Sequence, residues 1–440
     1  MTRKMKDSGV EWIGEIPEEW DTFRIAKIAE FINGYAFSSE ELKEDEEVAV
    51  IRIGDIKEKG IDYISCLKYP NCESLNNFMI HDNDILIAMS GATAGKSSYI
   101  TNVKKAYINQ RVGIIRGGEN SKFIYYCLNN NSFNSYVNLL AGGSAQPNIS
   151  AKNILEYRIP KILLKEQKKI VSYLDEKCNK IDQTIEKEKQ VIEKLKEYKQ
   201  SVITEAVTKG LNPDVKMKDS GVEWIGEIPE HWQVVKLKQV FSFRKGLSIT
   251  KDNLVEKGVK VISYGQIHSK NNNGVSIDDS LIRYVGNEYL EMGKQSLVLK
   301  NDFIFADTSE DLEGAGNCVF VDSDEEIFAG YHTIILAPIK RESIPNWRYF
   351  AYLYKTDCWR SQIRSRVSGI KLFSITQKIL KQAEVIMPDI NEQQKIIDYL
   401  DNKCSSIDKL ISNKEKVIDK LTEYKKSLIY ECVTGKREVQ

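Results

Sequence analysis

No run of about 18 apolar residues occurs anywhere in the chain, so no segment has the length of a membrane span. The opening MTRKMKDSGVEW likewise lacks the apolar core of a secretion signal. Membrane and secreted classes are set aside, and a cytoplasmic protein is expected. Paired cysteines are also missing: the eight cysteines are scattered without a C-x-x-C, and the four histidines are dispersed. This excludes a zinc framework read from spacing and leaves reduced thiols, with no metal site expected. Net charge is absent too, because 63 basic side chains cancel 63 acidic ones. The sum therefore shows no electrostatic footprint of a nucleic-acid binder, although a basic groove can be balanced by acidic faces such as ELKEDEE at Glu41 to Glu47.

Catalytic motifs are lacking as well. There is no G-x-S-x-G elbow, no H-E-x-x-H helix, no paired acidic metal motif and no N/D-P-P-F/Y tetrapeptide. SGATAGKSS from Ser90 superficially suggests a phosphate-binding loop, but Ser90 stands where the first glycine is required. The following SYITN reads as a strand, so no helix N-terminus would face a phosphate. A non-catalytic chain is expected.

What is present is a duplicated architecture. With 42% hydrophobic and 29% charged residues over 440 positions, the chain can bury more than one core. MKDSGVEWIGEIPEEW from Met5 returns as MKDSGVEWIGEIPEHW from Met217, differing only at Glu19 and His231. EQKKIVSYLDEKCNKID from Glu166 returns as EQQKIIDYLDNKCSSID from Glu392, and both continue alike, from Val191 and Val417. The middles have diverged and keep only landmarks: IRIGDI from Ile51 against ISYGQI from Ile262, and DILIA from Asp84 against DFIFA from Asp302. Similar ends around dissimilar middles suggest one framework carrying two different readers, although structural duplication alone would also produce a repeat.

The middles alternate short β-branched and aromatic runs with Gly, Asn and Asp turns, which predicts strands. Each also carries one amphipathic helix, in KFIYYCLNNNSFNSYV from Lys122 and NWRYFAYLYKTDCWRSQI from Asn346. Each half therefore reads as a mixed α/β domain followed by a long helix. Those helices carry a heptad seam: Leu174, Cys178, Ile181, Ile185, Ile192, Leu195 and Val202 in the first copy, and Leu400, Cys404, Ile407, Ile411, Ile418, Leu421 and Leu428 in the second. Glu188 and Lys199 interrupt one seam, Lys414 and Lys425 the other. Two like helices meeting through the same face across an approximate two-fold axis run antiparallel, which brings Glu188 near Lys414. Trp12, Trp20, Trp224 and Trp232 lie in the near-identical repeats, so they read as packing for a docked arm and not as base-stacking platforms.

DSGVEWIGEIPEEW, NGYAFSS, GSAQPNIS and the IP...EQKKIVSYLD opening of the long helix, taken with the tandem repeat, resemble the specificity subunits of type I restriction-modification systems over essentially the whole chain. SGIKLFSIT from Ser368 departs from GSAQPNIS and blurs the end of the second reader. The resemblance implies an α+β chain with pseudo-two-fold symmetry, in which two mixed α/β target-recognition domains are separated by two long helices packed as an antiparallel coiled coil. The expected boundaries are 1–160 and 213–388 for the recognition domains, with 161–212 and 389–440 for the spacer helices. It further implies that each domain reads half of a bipartite asymmetric site in double-stranded DNA, that the helices fix the unread spacer and dock two methyltransferase subunits, and that motor-nuclease subunits complete the complex. No cofactor is expected in this chain, S-adenosylmethionine belonging to the methyltransferase.

Loop residues near the landmarks are the candidate DNA contacts. In the first reader they are Tyr35, Arg52, Ser90, Thr93, Lys96, Gln110, Arg111, Gln146 and Asn148; in the second, Arg244, Lys245, Tyr264, Gln266, His268, Thr308, Ser309, His332 and Lys371. Two other classes fit the same string. One is a scaffold whose domains bind protein; the other is an enzyme with an unrecognised site, which assays of the purified chain for nuclease and methyl transfer would reveal.

Overall fold

The computed structural model describes residues 3–58, 60–141, 147–344, 346–369 and 371–439. The chain divides into two units: Met1–Lys189 with Lys414–Gln440, and Gln190–Asn413. Each unit thus combines one middle segment with half of each long helix, Leu164–Lys209 and Ile390–Val433.

In unit 1 the strand Val112–Arg116 lies between Glu30–Asn33 and Ile85–Ala88, and Ser97–Tyr99 closes this antiparallel sheet of four. A second sheet pairs Ala106–Ile108 in parallel with Val48–Ile51. The central strands are buried on both faces, which is why ILIA and VAVI carry no polar alternation. Unit 2 repeats the plan. Thr333–Pro338 lies between Phe241–Lys245 and Phe303–Ala306, with Cys318–Phe320 at the edge, and Ile327–Ala329 runs parallel to Val259–Ile262. Ile51 pairs with Ile108 as Ile262 pairs with Ala329, so the landmarks read from sequence occupy equivalent places.

The single amphipathic helix expected in each middle is in fact two. Ser121–Leu128 is followed by Asn131–Ala141, and Arg348–Tyr354 by Asp357–Arg364. The break has the same cause in both. A side-chain oxygen just before the second helix, Asn130 Oδ1 or Thr356 Oγ1, accepts the backbone N–H of Phe133 (3.1 Å) or Trp359 (3.3 Å), which starts a new helix. The hydrophobic period continues across the interruption and conceals it.

The N-terminal arm of each half is a small hairpin, Met5–Asp7 against Glu15–Pro17 and Met217–Asp219 against Glu227–Pro229. Trp20 and Trp232 are buried in the cores, and Trp12 lies against the rings of Tyr136 and Tyr157 while its Nε1 donates to Arg158 O at 3.2 Å. Packing is thus the observed role of these three, whereas Trp224 is partly exposed. In unit 1 the arm closes over Leu428, Ile429, Cys432 and Val433 of the second long helix; in unit 2 it closes over Val202, Ile203, Ala206 and Val207 of the first.

Within each unit the two long helices run antiparallel. In unit 1, Lys425 Nζ lies 2.7 Å from Asp182 Oδ1 and Lys414 Nζ lies 2.8 Å from Glu188 Oε2, so partner numbers fall along one helix as they rise along the other. In unit 2, Lys199 meets Asp408 at 2.6 Å. The juxtaposition of Glu188 and Lys414 expected from symmetry is present. Leu174, Ile181, Ile192, Leu400 and Ile407 are buried, while Ile185, Leu195, Ile411, Ile418 and Leu421 are half-buried, as befits a two-helix seam. Among the described residues, no helix is long and apolar enough to cross a membrane. Burial pushes the thiols of Cys66, Cys318 and Cys432 up to about 12, so they stay protonated.

Candidate nucleic-acid interface

The candidate site is set by backbone hydrogen bonds that tie the ends of three strands together. In unit 1 the Met89 N–H donates to Arg111 O (2.9 Å), that of Ile149 to Met89 O (2.9 Å), and that of Gly34 to Val112 O (3.0 Å). In unit 2 the same frame is made by Asp307 to His332 O (3.1 Å), Ile375 to Asp307 O (2.7 Å), and Gly246 to Thr333 O (3.0 Å). Gly34 and Gly246 are required by close approach, because a Cβ would stand 2.1 Å from Asn109 O in one and 2.1 Å from Gly330 O in the other. The frame also resolves the blurred end of the second reader. Ser374, Ile375 and Thr376 take the places of Asn148, Ile149 and Ser150, and Ser150 and Thr376 each cap the helix that follows.

The frames match, but their side chains do not. In unit 1 a cleft of about 420 Å³ is lined by Ser90, Gln110, Arg111 and Asn148, all expected from sequence, together with Ser150 and Asn153, which were not. Gln110, Arg111 and Asn148 are exposed, and no hydrogen-bond partner is found for the buried Ser90 hydroxyl among the described residues. In unit 2 a cleft of about 770 Å³ has the expected Lys245, Thr308 and His332, plus Asp307, Ser374 and Lys378. Tyr264 flanks it, with its ring on those of Tyr331 and His332 at 5.6 and 5.4 Å. The helix-capping Ser and Thr before each short helix were the available signal for Ser150, Thr376 and their neighbours.

Other expected contacts lie elsewhere or are occupied by the fold. Thr93 and Lys96 line a separate groove of unit 1, about 800 Å³, beside Lys122, Lys425 and Lys426. Tyr35 is partly exposed and rests on Phe37 and Phe78. The Arg52 guanidinium reaches Asp55 (3.5 Å) and Ser65 O (3.2 Å), and Gln266 accepts the Ser263 N–H at 3.2 Å. His268 uses both ring nitrogens, toward Thr308 O and Asn317. Ser309 is buried and donates to Asp311 O. Arg244 donates to Gln295 O, Leu297 O and the fully buried Asp302, which also bonds Arg341; it neutralises a core carboxylate, as Arg116 does for Asp84 in unit 1. Lys371 is exposed, and Gln146 lies outside the described residues.

Arginine, glutamine, asparagine, histidine, serine and lysine at the rims of two shallow clefts present hydrogen-bond donors and acceptors of the kinds that pair with base edges and phosphates. Two unlike sets of side chains thus stand on one repeated frame. The comparisons with known proteins agree. Residues 17–197 and 229–422 match the family described as "Type I restriction modification DNA specificity domain", and the chain belongs to that family, whose specificity subunits are DNA-recognition components and not catalytic ones. It is 24% identical over 435 residues to the type I restriction enzyme MjaVIII specificity subunit of Methanocaldococcus jannaschii, covering 97% of this chain and 94% of that one. It is also 24% identical over 412 residues to the EcoBI specificity subunit of Escherichia coli, covering 90% and 81%. A solved structure concerned with complex assembly and conformational transition of the type I R-M system shares the fold, with a TM-score of 0.67 at 14% identity over 95% of this chain and 98% of that one.

Proposed function

We propose that each unit reads one half of a bipartite, asymmetric site in double-stranded DNA. Gln110, Arg111, Asn148 and Ser90 would serve one half, and His332, Lys245, Tyr264 and Thr308 the other. The observation that carries this reading is one hydrogen-bonded frame presenting different side chains: Gln110 and Arg111 stand where Tyr331 and His332 stand in the second unit. A duplicated scaffold serving one shared ligand would present similar groups at those places. Lys96, with Lys122 and Lys426, would position the phosphate backbone.

In this reading the recognition domains are 1–160 and 213–388. The helices of 161–212 and 389–440 set the unread spacer and dock two methyltransferase subunits that carry S-adenosylmethionine, motor-nuclease subunits join the complex, and the assembly acts in the cytoplasm. The test is selection of duplexes from a randomised pool by the full chain with its methyltransferase partner. Two short specified blocks separated by a fixed unspecified gap are expected. Arg111→Ala should relax one block only, whereas Lys96→Ala should weaken all sequences and lower the salt dependence. Retention of random sequence by the complex would refute the reading.

A further inference from the structure

At the start of the second long helix, three side chains from two stretches of unit 2 converge. His231, Asp389 and Glu392 each bring one ligand atom within 4.8 Å of the others. His231 Nε2 stands 2.8 Å from Glu392 Oε2, and the same oxygen accepts Trp232 Nε1 at 2.9 Å. Asp389 Oδ1 accepts the backbone N–H groups of Asn391 (2.8 Å) and Glu392 (2.9 Å), which fixes its carboxylate.

The first half shows what these residues replaced. Glu19 and Glu166 stand at the positions of His231 and Glu392, and Leu163 at that of Asp389. There the two carboxylates are bridged by Arg3, at 2.5 and 3.1 Å. The repeat places Val215 where Arg3 stands. Unit 2 has therefore lost the bridging cation and gained an imidazole and a second carboxylate. Among the described residues, neither Asp389 nor Glu392 forms an ion pair with any lysine or arginine.

We propose that His231, Asp389 and Glu392 bind a divalent transition-metal ion, zinc(II) or one of similar size, which takes the place of the Arg3 bridge. One imidazole nitrogen and two carboxylate oxygens suit such an ion, with water completing the shell. Metal–ligand bonds of about 2.0–2.2 Å separate neighbouring donor atoms by roughly 3.3 Å. The His231–Glu392 contact opens slightly on binding and the wider separations draw in, which side-chain rotation accomplishes because His231 and Asp389 are exposed. The Trp232 N–H on Glu392 acts as the outer contact that orients a ligating carboxylate. Such an ion ties the arm of unit 2 to the second long helix, and the proposal does not depend on the DNA reading.

The experiment is calorimetric titration of zinc(II) into the chelator-treated full chain, with cobalt(II) absorption as the spectroscopic probe. One ion should bind per chain with micromolar affinity and raise the melting temperature. His231→Gln and Asp389→Asn should each weaken binding by at least about tenfold, while Glu19→Gln leaves it unchanged. Cobalt(II) should give weak visible bands without the intense near-ultraviolet absorption of thiolate ligation. Because Asp389 also caps the helix, His231→Gln is the deciding variant, and its metal-free melting temperature should equal that of the parent. No binding below about 100 µM, binding indifferent to His231→Gln, or a thiolate signature would each overturn the site.

Discussion

The three ion pairs across the helix seam differ in burial, and their energies should differ accordingly. Lys425 and Asp182 have side chains only 15% and 13% exposed, whereas Lys414 and Glu188 are 37% and 19% exposed. Burial works against the Lys425 charge, but its hydrogen bonds to Asp182 and Glu58 outweigh that and hold the ammonium above the ordinary lysine value. At 2.7 Å the gross attraction at an effective dielectric of 20 is about 6 kcal/mol. Lys425→Met removes it and strips a buried carboxylate of its lysine, a change that costs about 3–5 kcal/mol. Lys414→Met acts on a wetter pair and should cost no more than about 1 kcal/mol. Replacing both buried partners, Asp182→Leu with Lys425→Leu, should recover most of the loss, since an apolar pair of similar volume carries no desolvation penalty. Hydrogen exchange of the full chain, followed by mass spectrometry over residues 170–189 and 414–433, reads the opening energy of this part of the seam. Equal losses for Lys425→Met and Lys414→Met, or a double variant no better than Lys425→Met alone, would refute the argument that burial ranks these pairs.

Gly34→Ala should shift the Asn109–Arg111 loop and cost about 1–3 kcal/mol by overpacking, with Gly54→Ala, whose Cβ meets nothing within 4 Å, as the neutral control in urea denaturation. Burial, reinforced by the nearby Lys199 and Arg360 charges, pushes the Lys355 ammonium down to about 8, below an unfolded value of about 10.4. Between those values the unfolded chain holds a proton that the folded chain has released, so this group makes stability rise with pH across that window and adds no slope below it. Lys355→Met should rise less than the parent between about pH 8 and 10 in unfolding titrations; identical slopes would count against the lowered Lys355 value.

The repeat, the helix pair and its polar interruptions were legible because they are periodic. A heptad pattern and a two-fold relation between copies suffice to place Glu188 by Lys414. The paired strands around DILIA and DFIFA were legible as landmarks for the same reason. The clefts were legible only in part, since Met89, Arg111 and Ile149 are joined by backbone bonds that leave no trace in side-chain pattern. Ser90, Gln110, Arg111 and Asn148, each named from sequence, line one cleft, but Asp307 and Ser374 were hidden because loop divergence obscured the equivalence of PNIS and FSIT. Arg244 was expected as a DNA contact on a loop, but it lies in the strand Phe241–Lys245, and only the fold shows the buried Asp302 that claims it. A charged residue near a landmark carries no mark in the sequence of whether its partner lies inside the protein or in the groove of a ligand.

The central claim, one reader for each half-site, is tested most directly by mapping methylated adenines across host DNA in cells that coexpress the chain with a methyltransferase subunit. Arg111→Ala is predicted to degrade one block of the modified motif and leave the other block and the gap intact, while His332→Ala does the converse. A change in both blocks from either substitution, or a motif with a single uninterrupted block, would contradict the account.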